Sequence, residues 1–91
     1  MKAVIIDGDT VKVKDMPLPT VGRGDILVKM RACGLCGSDI EKVYGRYGVV
    51  SRRLGHEPSG EVIAVGSDVE SISVGDRVFV HHHVPCYSCY Y

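Results

Sequence analysis

The run Ile26-Leu27-Val28-Lys29-Met30-Arg31-Ala32-Cys33-Gly34-Leu35-Cys36-Gly37-Ser38-Asp39 changes character halfway along. From Val28 onward apolar residues alternate with Lys29 and Arg31, the period of a half-buried strand, and that strand delivers Cys33 and Cys36 at its C-terminal end. Ser38-Asp39-Ile40-Glu41 then has the form of a capping box, with Ser38 at the N-cap and Glu41 three residues on. A short helix ending near Gly45 is predicted. Farther along, Gly55-His56-Glu57-Pro58 answers this stretch. Between them the two segments carry a thiol, an imidazole, carboxylates and a hydroxyl, the parts of a metal-assisted proton-transfer site.

The flanking sequence predicts a β-rich scaffold. Val4–Ile6 and Val11–Val13 are β-rich runs around Gly8-Asp9, a dipeptide suited to a tight turn, and read as an opening hairpin. Met16-Pro17-Leu18-Pro19 breaks regular structure, because each proline lacks a donor and restricts the residue before it. Arg46 to Leu54 has no clear period and reads as a loop returning the chain to the site. Gly60 to Gly66 and Arg77 to Val80 read as two further strands, with Gly75-Asp76 as the turn before the second. Short strands, glycine turns and one brief helix predict a mainly β, barrel-like domain with the chemical segments at its rim.

With 91 residues there is room for one domain and one modest core. Eleven basic and eleven acidic residues cancel, without a run of either sign. A nucleic-acid partner therefore has no electrostatic footprint. No apolar run reaches the length of a membrane span, and Met1 to Asp7 is too short and too soon acidic for a signal peptide, so the expected location is cytoplasmic, away from the membrane. Four cysteines in two Cys-X-X-Cys pairs, with no secretory signal, favour metal or redox chemistry over a disulfide framework, metal first.

Cys36 is the foremost metal-ligand candidate, because a thiolate suits borderline-soft zinc and amides at a helix start favour the thiolate. The plainer reading is a buried, inert cysteine. Cys33 is a second ligand, a redox partner or core, with core preferred. His56 is constrained between Gly55 and Pro58, either as a structural histidine or as a neutral imidazole ligand with Glu57 as a further ligand or supporting base. Ser38 combines a helix cap with a hydroxyl beside a bound substrate, since one hydroxyl has two acceptor sites and one donor. Asp39 either favours the helix start electrostatically or orients a histidine ligand. His81, His82 and His83 alternate in direction if they continue a strand, so they read as scaffold or loop lining. Cys86 and Cys89 have the spacing of half a structural zinc site; joining them to Cys33 and Cys36 in one four-cysteine site needs a gap far longer than the ~15–20 residues of a compact ribbon.

Cys-Gly-Leu-Cys-Gly-Ser-Asp, Gly-His-Glu-Pro-Ser-Gly-Glu-Val, Val-Gly-Asp-Arg-Val and Pro-Cys-Tyr-Ser-Cys, in that order, resemble the N-terminal part of zinc-dependent medium-chain alcohol dehydrogenases, closer to the sorbitol and threonine dehydrogenase branch than to the animal liver type. The resemblance implies a partly open GroES-like β-barrel with one short helix, residues 1–91 being an incomplete N-terminal catalytic domain whose Rossmann cofactor domain lies outside this chain. It implies Cys36 and His56 as catalytic-zinc ligands, Ser38 in the proton relay, Glu57 as an acidic neighbour able to approach the metal, and Asp39 behind the ligands. Cys33 matches a position that does not ligate. Cys86 and Cys89 match the first two of four structural-zinc cysteines, the third falling one residue past Tyr91. The implied reaction is zinc-assisted oxidation of a small alcohol or polyol with hydride transfer to NAD or NADP, in an enzyme that is a homo-oligomer. No Gly-X-Gly-X-X-Gly is present, so these residues alone are expected to be inactive. The competing expectation is an autonomous, non-catalytic β-barrel that binds zinc or a protein partner.

Overall fold

The structure is a computed structural model that describes residues 1–8, 10–45 and 52–89. Strands β1 (Lys2–Asp7) and β2 (Thr10–Asp15) form the opening hairpin, antiparallel from Lys2↔Asp15 to Asp7↔Thr10. That register leaves a two-residue connection whose first member, Gly8, has φ +68°, a conformation that costs a residue without Cβ little. The other turn residue, Asp9, lies outside the described residues. Thr10 Oγ1 donates to the Asp7 carbonyl at 2.9 Å and closes the turn.

Strands β3 (Ile26–Gly34), β4 (Glu57–Val65) and β5 (Arg77–Phe79) make a three-stranded antiparallel sheet in that order. The one helix among the described residues, α1 (Gly37–Val43), follows β3. The architecture is mainly β, as predicted, with sheets that are not closed into a barrel. The segment 52–54 runs beside β1: the Ile6 amide donates to the Arg52 carbonyl at 2.7 Å and the Leu54 amide to the Val4 carbonyl at 3.1 Å. The predicted loop from Arg46 to Leu54 thus ends in pairing with the hairpin, while residues 46–51 lie outside the described set. No helix among the described residues is long and apolar enough to cross a membrane.

Two register shifts, at Leu27/Val28 and Met30/Ala32, bend the β3–β4 ladder. Between them Gly60 is buried, and a Cβ there would run into the Lys29 carbonyl and Val28, so only glycine lets the strands approach this closely. Turns of the same design feed β3 and β5. The Asp25 carboxylate accepts from the Gly22 amide at 3.0 Å, and the Asp76 carboxylate accepts from the Ser73 amide at 2.9 Å.

β4 begins at Glu57, three residues before the predicted start. Pro58 is tolerated there because its carbonyl still serves the sheet, accepting from the Val80 amide at 2.9 Å. β3 is less covered than its alternation predicted, since every residue from Lys29 to Gly34 is exposed. Alternation shows that a strand has two different faces; it does not show that anything covers the apolar one. Cys33, read as core, is likewise exposed. Val62 is the one fully buried apolar side chain among the described residues. The other fully buried side chain is a carboxylate, Asp39, at 1% exposure.

Candidate metal centre

The register of β3 against β4 builds the site. Cys33 pairs with Pro58 and Gly34 with Glu57, at the end of the ladder. His56 stands one residue before Glu57 and Cys36 two residues past Gly34, so the closing rungs bring both side chains to the same edge. Gly55 has φ +101°, and a Cβ there would press on Cys33 Sγ at 3.1 Å. The glycine before His56 is therefore needed both for its backbone conformation and for its small size.

Helix α1 starts at Gly37 with Cys36 as N-cap, two residues earlier than predicted for Ser38. Asp39, not Glu41, closes the reciprocal cap: its Oδ2 accepts from the Cys36 amide at 3.1 Å. Asp39 Oδ1 receives His56 Nδ1 at 3.2 Å. One buried carboxylate thus secures the helix start and the histidine together. Because both of its partners must donate, the proton of the neutral imidazole sits on Nδ1 and the lone pair on Nε2.

That Nε2 lies 3.1 Å from Cys36 Sγ and 3.3 Å from Ser38 Oγ, and the Ser38 hydroxyl lies 2.9 Å from the same sulfur. The Ser38 hydroxyl and then the Ser38 amide hold the Cys36 thiol below its ordinary value. The Asp39 amide adds to this against a partial opposing effect of burial. Stabilised as thiolate, Cys36 is prepared for the role of metal ligand or nucleophile.

Cys36, Asp39 and His56 are the one group of three potential metal ligands that converges among the described residues, with donor atoms within 4.8 Å of one another. Both Asp39 oxygens are engaged, one by the Cys36 amide and the other by His56 Nδ1. A sulfur and an imidazole nitrogen on one tetrahedral zinc stand about 3.5 Å apart for ordinary bond lengths. The 3.1 Å seen between Cys36 Sγ and His56 Nε2 is close to this, and the donor set fits zinc.

Over residues 22–91 the sequence matches the alcohol dehydrogenase GroES-like domain. The chain belongs to this family. It is 41% identical to a sorbitol dehydrogenase of Bacillus subtilis, aligned over 98% of this chain and 27% of that protein. It is 37% identical to an L-threonine 3-dehydrogenase of Symbiobacterium thermophilum, over 90% of this chain and 25% of that protein. Among solved structures, galactitol-1-phosphate dehydrogenase of Escherichia coli superposes with a TM-score of 0.87 at 35% identity, covering 98% of this chain and 27% of that one. This GroES-like domain therefore spans about a quarter of the length of these dehydrogenases.

The remaining sequence candidates sit apart from the cluster in this GroES-like domain. Glu57 is exposed at the start of β4, its side chain lying across Gly34, outside the converging group. Cys86 and Cys89 are exposed, with sulfurs 3.0 Å apart. Their contact with each other, followed by the Ser88 amide and hydroxyl and the Cys89 amide, lowers Cys86 to about 6. A single site uniting all four cysteines is not assembled among the described residues.

The histidine run, read as scaffold or loop lining, lies in a loop. β5 ends at Phe79, so residues 81–83 do not alternate as strand residues. Their rings gather instead, His82 and His83 at 3.9 Å between centroids and His81 and His82 at 5.4 Å. His82 meets His56 edge-on at 5.2 Å. Burial, and then the neighbouring imidazoles, lower the His82 pKa.

Proposed function

We propose that residues 1–91 form the N-terminal catalytic-domain part of a zinc-dependent alcohol or polyol dehydrogenase that passes hydride to a nicotinamide cofactor held by a separate Rossmann domain. The observation that carries this reading is the 3.1 Å approach of Cys36 Sγ to His56 Nε2, with the opposite ring nitrogen tied to buried Asp39. The sorbitol, threonine and galactitol-1-phosphate dehydrogenases to which the chain is similar support it. By itself the 91-residue chain is inactive, since it carries no glycine fingerprint for a dinucleotide.

Cys36 and His56 would hold the catalytic zinc. When bound, the metal supplies a Lewis acid for the alcohol oxygen. Asp39 keeps the His56 proton on Nδ1 and so keeps Nε2 available as a donor. Ser38 Oγ, within hydrogen-bond reach of both donor atoms, takes the proton of the alcohol and passes it outward. Glu57, one residue from His56, serves as an acidic neighbour that approaches the site by moving off Gly34. Cys86 and Cys89 would contribute two thiolates to a structural zinc site.

Cobalt titration of the 91-residue chain in a Cys86→Ser/Cys89→Ser background tests this. Thiolate-to-cobalt absorption should appear, weaken strongly in Cys36→Ala and His56→Ala, and survive in Cys33→Ala. Cobalt binding indifferent to His56→Ala would reject the dehydrogenase reading and leave a non-catalytic module in its place.

A further inference from the structure

The two Cys-X-X-Cys pairs share a spacing and differ in geometry. In the first, Cys33 Sγ turns to the Gly34 carbonyl at 3.5 Å, while Cys36 Sγ faces Ser38 and His56 at 2.9 and 3.1 Å. Regular structure on both sides holds them so: Cys33 is paired with Pro58 in the β3–β4 ladder, and α1 begins one residue after Cys36. In the second pair the sulfurs of Cys86 and Cys89 touch each other at 3.0 Å, and both residues are exposed. Tyr87 between them has φ 54°, the left-handed conformation that bends the chain back on itself. Residues 80–89 belong to no helix or strand. Closing a bond of ~2.05 Å asks for about 1 Å of movement in a segment that no ladder restrains.

We infer that Cys86 and Cys89 form a thiol–disulfide exchange site for small-molecule disulfides, and that Cys33 and Cys36 do not. One cysteine sulfur attacks a sulfur of the small disulfide, whose S–S bond breaks and releases a first small thiol. The other cysteine sulfur then attacks the mixed disulfide, forms the Cys86–Cys89 bond and expels the second small thiol. The two cysteine protons end on the two released thiols; the pair loses two electrons and the small disulfide gains them. The second attack is intramolecular, at an effective concentration of roughly millimolar or above, so the mixed disulfide does not accumulate. The bond withdraws both thiolates from metal binding, a consequence that, unlike the exchange itself, rests on the zinc reading of this pair.

The test treats the metal-free 91-residue chain with oxidised glutathione, blocks remaining thiols with an alkylating agent and locates the products by peptide mass spectrometry. The peptide spanning Cys86 and Cys89 should lose two hydrogens while Cys33 and Cys36 are alkylated. Cys89→Ser should stop at a glutathione adduct on Cys86, at least about tenfold more abundant than in the wild type. A Cys33–Cys36 disulfide formed equally fast, or a lasting adduct on wild-type Cys86, would overturn the inference. Neither outcome bears on metal binding by Cys36 and His56, which is read separately by cobalt titration.

Discussion

Asp39→Asn separates shape from chemistry at the centre of the site. Asp39 accepts from two donors, the Cys36 amide at 3.1 Å and His56 Nδ1 at 3.2 Å, while it is 1% exposed. Asparagine keeps the size but offers one acceptor and one donor group. If its oxygen stays on the Cys36 amide, its NH2 faces Nδ1, and the ring satisfies it only by moving its proton to Nε2. That nitrogen then has no lone pair for a metal. Loss of such a supporting contact costs typically 10–100-fold in metal affinity, or about 1.4–2.8 kcal/mol. If the amide turns the other way, the Cys36 N–H is left facing a donor, at a cost of about 1–3 kcal/mol to the fold. Imidazole nitrogen NMR reads the tautomer, cobalt titration the affinity and urea unfolding the stability. An Asp39→Asn chain with the wild-type tautomer, cobalt affinity within threefold of wild type and unchanged urea midpoint would refute the assignment of Asp39 as the residue that aims His56.

Three further expectations follow from separate contacts. Ser38→Ala removes the largest cause of the lowered Cys36 pKa, so the pH midpoint of Cys36 alkylation should rise and its rate at neutral pH fall; an unmoved midpoint contradicts the hydrogen bond at 2.9 Å. Gly60→Ala should destabilise the β3–β4 pairing by about 1–3 kcal/mol in urea unfolding, because the added methyl meets the Lys29 backbone. A neutral effect would mean the strands are not held this close. Asp7 is lowered first by its hydrogen bond to the Lys12 ammonium at 2.9 Å. Its depressed folded value means that its contribution to stability is present above the unfolded carboxylate range and is lost as pH falls through the folded value. Lys12→Met should therefore raise the Asp7 midpoint followed by NMR, and a midpoint that stays put would dissociate the two.

The hairpin was legible because Gly8 marks a turn that few other residues enter, and the end of α1 because Gly45, at φ +71°, does the same. Strand β3 was legible from its alternation. What alternation could not carry was burial, since the cover over Met30 or Cys33 is a property of distant chain. The start of α1 was misplaced for a related reason. Ser38 and Glu41 offer a good local box, but Asp39 makes a better one because the same carboxylate also binds His56, seventeen residues farther along and beyond any local rule. The site residues Cys36, Ser38, Asp39 and His56 were singled out by residue type and glycine flanks, while their meeting depended on the Gly34↔Glu57 register, which no short motif encodes.

The central claim, that Cys36 and His56 are two donors to one metal, is tested most directly by cobalt affinity in the Cys86→Ser/Cys89→Ser chain. His56→Ala should lower that affinity by more than about tenfold, as loss of a donor must exceed the smallest losses seen on removing a supporting contact, and Cys36→Ala should abolish the thiolate-to-cobalt absorption. An affinity unchanged by His56→Ala, with the absorption intact, would contradict it.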